Sequence, residues 1–114
     1  MESILTSIKK QLGLGEDYGP FDTEIIMHIN NTFMTLTQLG VGPANGFRIV
    51  DEMSTWSDFI PSDHILFGSL ETYVFMKVKL IFDPPSGSAV IQAFQTSIKE
   101  FEWRAQVAVD TVSE

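Results

Sequence analysis

Apolar residues recur along most of this chain at intervals of three and four, the rhythm of helices that bury one face. Ile4, Leu5, Ile8 and Leu12 open the series, with Lys9 and Lys10 on the other side and Gly13 and Gly15 as stop signals. These predict a first amphipathic helix over 1–14. Ile25, Ile26, Ile29, Phe33, Leu36 and Leu39 mark a second helix over 22–39, with Asn30, Asn31, Thr35 and Gln38 opposite them. Asp22 stands where a cap is expected, Glu24 sits in the first turn, and Phe21 and Ile26 occupy the positions of a hydrophobic staple. Gly40 is placed to close the helix in the left-handed conformation, and Gly42-Pro43 prevents its continuation.

The rhythm then fails. Residues 41–63 form an irregular loop, long for a plain connection, and Phe47, Ile49, Trp56, Phe59 and Ile60 make it too apolar for a solvated linker. It is expected to pack back on the helices, with Thr55 capping a single helical turn over Trp56–Ile60. The next segment is two-sided. Met76, Val78, Leu80 and Phe82 alternate with Lys77 and Lys79 as in a strand, whereas Leu66, Leu70, Tyr73 and Lys77 follow helical spacing. Its length and the stop at Asp83-Pro84-Pro85 favour a third helix over 64–82, capped by Ser62 or Asp63. After that tight turn a serine, Ser86 or Ser88, can cap a fourth helix over 87–109. There Ile91, Phe94, Ile98, Phe101, Ala105 and Ala108 alternate steps of three and four, an a/d seam. The polar residues 110–114 read as a tail.

The fold class that follows is all-α: one small bundle of about four helices with a long irregular loop between the second and third. The third and fourth helices form its core hairpin. Expected core residues are Ile25, Ile29, Phe33, Leu70, Val74, Phe94, Ile98 and Phe101.

At 114 residues the chain has the length of a single domain. Seven Lys and Arg against fifteen Asp and Glu give a net charge of -8. That leaves no basic surface for neutralising phosphates, and disfavours sequence-reading nucleic-acid binding. With no cysteine, disulfides and thiolate metal sites are excluded, and the chain reads as intracellular. The N-terminal residues lack the order of a signal peptide, and no run approaches the ~20 apolar residues of a membrane span.

Candidate chemistry is thin. His28 and His64 are not in metal-ligand spacing, so no metal is expected. The acid pairs Glu16-Asp17, Asp51-Glu52 and Glu100/Glu102 read as solvated surface, and no serine lies in a nucleophile context. The glycines read as breakers rather than as a phosphate cradle, so neither catalytic nor cofactor-binding residues are assigned. Trp103 is different, because it lies off the seam of its own helix and must face something other than the seam's partner. Together with the surplus apolar loop, it points to contacts between molecules. The candidate interface is Phe47, Ile49, Trp56, Phe59, Trp103, Arg104, Val107 and Val109.

Four segments carry a family resemblance: LGVGP (Leu39 to Pro43), TWSDF (Thr55 to Phe59), LIFDPP (Leu80 to Pro85) and EFEWR (Glu100 to Arg104). With the order of helices around them, they resemble the head-tail connector, or adaptor, proteins of tailed bacteriophages and prophages over nearly the whole chain. The resemblance implies a non-enzymatic virion protein of the neck, made in the host cytoplasm. It implies a ring, typically of twelve copies, bound to the portal above and to a stopper or tail-completion protein below. Genomic DNA would pass through it without sequence-specific binding, a role in which an acidic surface helps. Two alternatives stay open: a tail-completion or terminator protein, usually richer in strands, and a small cytoplasmic regulator that binds another protein.

Overall fold

The computed structural model describes residues 2–113, with side chains through Asp110. Its helices are α1 (Ile4–Gln11), α2 (Asp22–Gln38), α3 (Trp56–Phe59), α4 (Phe67–Phe82) and α5 (Ser88–Ser113). The protein is a small all-α bundle, with no strand among the described residues. Its Cα extents are 45 × 35 × 20 Å, so it is a slab about two helix diameters thick.

Each helix end has a local cause. Ser3 caps α1 by accepting a hydrogen bond from the Thr6 N–H at 3.2 Å. α2 closes in a Schellman turn: Val41 N–H donates to the Leu36 carbonyl at 2.9 Å and Gly40 N–H to that of Thr37 at 3.0 Å. Gly40 takes a φ of +90° there, as its place after the last apolar residue requires. α3 is the expected single turn in the loop, and the Asp58 carboxylate accepts from the Thr55 N–H at 2.8 Å.

Three expectations about ends are corrected. Asp22 does not cap α2; its carboxylate turns to Lys9, whose ammonium lies 2.9 Å away. Lys9 is itself almost fully buried rather than on the solvent side of α1, and it also donates to the Glu16 carbonyl at 3.0 Å. A buried ammonium needs a counter-charge, and that demand outweighs the cap. α4 starts at Phe67, past both Ser62 and Asp63, because His64 Nδ1 accepts from the Leu66 N–H at 3.0 Å and holds a turn in front of the helix. α5 runs to Ser113, so most of the expected polar tail continues the helix. Glu114 of that tail and Met1 of the expected first helix lie outside the described residues.

α4 is the centre of the molecule and packs against α1, α2 and α5, while α1 also meets α2. Ile4 and Ile8 of α1, Ile25, Ile29, Phe33 and Leu36 of α2, and Leu70, Tyr73, Val74 and Val78 of α4 are fully buried. α5 lies on one flank and adds Ile98, Phe101 and Ala105. Of the expected core, only Phe94 is less than buried, lying half-covered with its ring edge toward Phe75. The α4–α5 hairpin is therefore one side of the core rather than its whole. An apolar centre shared by α1, α2, α4 and the loop makes up the rest, because α4 is apolar on more than one face.

The loop packs inward as its composition requires. Asn30 of α2 holds it through two hydrogen bonds with Ile49: its amide nitrogen donates to the Ile49 carbonyl at 3.0 Å, and its oxygen accepts from the Ile49 N–H at 2.8 Å. Ile4 N–H donates to the Ser54 carbonyl at 2.9 Å, beside an antiparallel bridge between Ser3 and Thr55. Gly42, at φ +86°, passes so close to Phe59 that any Cβ there would collide with the ring.

Candidate functional site

The eight candidate interface residues divide into an inside group and an outside group. Ile49, Trp56 and Phe59 are buried in the subunit's own core. Trp56 Nε1–H donates at 3.1 Å to Ser7 Oγ, itself buried, and Phe59 lies against Phe33 with ring centroids 4.6 Å apart. The expectation that these three side chains offer themselves to a neighbour is thereby corrected: the loop and its single turn α3 are too short to form a core of their own, so these residues complete the core of the longer helices. Phe47 is half-buried, edge-on to Phe33 at 5.0 Å. One edge of it faces a shallow cleft with Ile26, Met27, Met34 and Arg48.

The outside group comes together. Trp103, Arg104, Val107 and Val109 of α5 line one groove of about 940 Å³. Its far wall is His64, Ile65, Leu66 and Ser69, from the turn before α4 and its first residues, and Gly40 lies at one end. Trp103 is 65% exposed and Ile65 is 83% exposed, high values for such large apolar side chains. The groove exists because of how α5 is used. Its seam residues Phe101 and Ala105 face α4, which leaves Trp103 and Val107, four residues apart, side by side on the outer surface. A Cβ on Gly40 would come within 2.9 Å of Val109, so the close crossing of the α2 and α5 ends depends on that glycine.

The floor of the groove is braced from beneath. Phe101 stacks on Tyr73 with centroids 4.3 Å apart, and the Tyr73 hydroxyl donates to Glu102 Oε2 at 2.7 Å. Burial, then the hydrogen bond to Glu102, then the negative charge of that carboxylate push the Tyr73 phenol well above its ordinary range. Lys77 approaches the same carboxylate at 3.7 Å. On the rim, Arg104 pairs with Glu100 at 2.7 Å, one turn earlier. Among the described residues no carboxylate lines the groove.

Nothing in this arrangement resembles a reaction centre. Among the described residues no three His, Asp or Glu side chains are grouped to hold a metal, and no helix is long and apolar enough to cross a membrane. The groove is an apolar surface with the Arg104–Glu100 pair on its rim. A family model described as phage connector protein matches residues 4–112. The chain belongs to that family. Its members are structural rather than enzymatic. No curated protein and no solved structure matches this connector.

Ile65, Met27 and Met34 are further exposed apolar residues of this connector that the apolar helical faces alone do not single out. Ile65 fell inside the expected third helix, where it could not be told from a core residue. Met27 and Met34 carried a usable signal, because they repeat at seven residues on the face of α2 opposite Ile25 and Ile29.

Proposed function

We propose that this protein is a head-tail connector that binds the portal as a ring, extends the DNA channel and docks the stopper or tail below it. The observation that carries the reading is the family match over residues 4–112. The all-α architecture favours it over the strand-rich terminator alternative. Support also comes from the groove beside Trp103, since a ring subunit needs two different surfaces, one for each neighbour. Its acid-free lining fits contact with a neighbouring protein, while the net charge of -8 suits a conduit from which DNA must slip free. In this role the protein is a component of the virion neck.

Electron microscopy of the purified protein mixed with its cognate portal tests the reading. The expected result is an added ring of density on the portal, absent when Trp103 is replaced by Ala. Failure to bind the portal at both low and high salt, with the protein remaining monomeric or capturing a host protein instead, would overturn it.

A further inference from the structure

Residues Val50, Asp51, Glu52 and Met53 form a turn that projects apolar side chains where burial would be expected. Val50 is 72% and Met53 75% exposed, although the residues on either side are tied down. The Asn30 amide grips Ile49 on one side, and the Ile4–Ser54 hydrogen bond and the Ser3–Thr55 bridge hold the other. Within the turn, the Met53 N–H donates to Asp51 Oδ1 at 2.9 Å. The result is a fixed knob with two apolar side chains and two carboxylates, and it loses little conformational freedom on binding. Folding of the subunit does not use it.

The groove has the opposite properties. It is concave where the turn is convex, its apolar walls include Trp103, Ile65 and Val107, and it carries Arg104 with no carboxylate among the described residues of its lining. Among the described residues Arg104 is held only by an exposed pair with Glu100, which exchanges readily. We infer that the Val50–Met53 knob of one copy seats in the Trp103 groove of the next, with Glu52 against Arg104. The inference rests on the connector reading and names the contact that would build its ring.

Charge selects this occupant over the others the molecule itself offers. Groove against groove would set Arg104 against Arg104. The methionine face of α2 brings Arg48, also a cation, and no carboxylate among the residues that line its cleft. The knob pairs apolar bulk with the opposite charge. Tyr18 and Phe21 also stand near carboxylates, but their rings pack on each other and on Phe82, and Asp83 beside the exposed Ile81 is paired with Lys79, whereas Val50 and Met53 are the more exposed and Glu52 is free to meet Arg104. Because knob and groove are different surfaces, the contact is head-to-tail and propagates from copy to copy.

The absence of cysteine makes a direct test possible. Met53→Cys and Val107→Cys are made in separate chains, mixed under mild oxidation, and compared with Met53→Cys mixed with Gln92→Cys, an exposed site at the other end of α5. Disulfide-linked heterodimer is expected to form at least about tenfold faster in the first mixture, the factor that 1.4 kcal/mol of association free energy represents. A chain carrying both Met53→Cys and Val107→Cys should give a ladder of linked oligomers. Adding Glu52→Arg to the first chain should abolish the preference, and Arg104→Glu in the second should restore it. The mixtures are run free and with the portal present. Equal rates in the two mixtures under both conditions, or predominant Val107–Val107 linkage, would overturn the inference. A wild-type ring on the portal without the selective cross-link would leave the connector reading standing and remove this contact. The cross-link without a portal ring would do the reverse.

Discussion

The two tryptophans have opposite fates, and their surroundings explain both. Trp56 is buried with its indole N–H bonded to Ser7, so Trp56→Ala leaves a cavity and takes away the donor that the Ser7 oxygen accepts from, while the Ser7 O–H still donates to the Ser3 carbonyl. It should cost about 3–5 kcal/mol in denaturant unfolding. Trp103→Ala should change stability by no more than about 0.5 kcal/mol while abolishing assembly. The helical seam made Trp103 legible from sequence, because a periodic pattern assigns every residue a direction. Trp56 sits in a loop with no period, and surplus apolar content there has two readings, core or interface. The fold resolves it as core, because α3 and the loop around it are what cover Phe33 of α2. Tyr73 adds a pH dependence. Its phenol holds its proton more tightly in the folded chain than in the unfolded one, whose phenol ionises near pH 10. The unfolded state therefore loses that proton first, and stability falls as pH rises above about 10. In Tyr73→Phe that part of the alkaline decline should be missing from melting curves taken across the range.

At the scale of elements, what could be read depended on whether an element's causes are local. The Schellman turn at Gly40 and the stop at Asp83-Pro84 depend on adjacent residues and were foreseeable. The roles of Lys9 and Asp22 were not, because their pairing brings together residues thirteen apart through a loop without periodicity. The same holds for the loop itself, which owes its course to Asn30, a residue that the α2 pattern assigns only to the polar side. Asn30→Ala removes both hydrogen bonds to Ile49 and should cost about 1–3 kcal/mol. Hydrogen exchange should locate the loss in residues 47–54, with α4 and α5 protected as before. If Asn30 only decorated the surface, exchange in that segment would not change. Gly42→Ala tests the loop's other end. The added methyl meets Phe59 and the φ of +86° disfavours any side chain, so the melting temperature should drop even though the glycine is exposed.

For the whole molecule, the charge of -8 sets the conditions under which copies can meet. At ~0.01 M salt the Debye length is about 30 Å, comparable to the body of the subunit, so each copy feels most of its neighbour's charge. At ~0.15 M it contracts to about 8 Å, and only groups near the contact matter. Among the described residues those groups are Arg104 with its partner Glu100 on the rim, and whatever enters the groove. Repulsion between whole subunits is thus screened before the local attraction is, while the apolar part of the contact does not depend on salt in this range. Self-association, followed by sedimentation or by the cross-linking rate, should therefore strengthen as salt rises from ~0.01 to ~0.15 M. A contact dominated by Glu52 and Arg104 alone would weaken over the same interval. So would affinity for DNA, which depends on releasing counterions from phosphates that this surface cannot neutralise. The direction of the salt effect thus separates an apolar joint between acidic subunits from a purely ionic one, and both from a nucleic-acid binder.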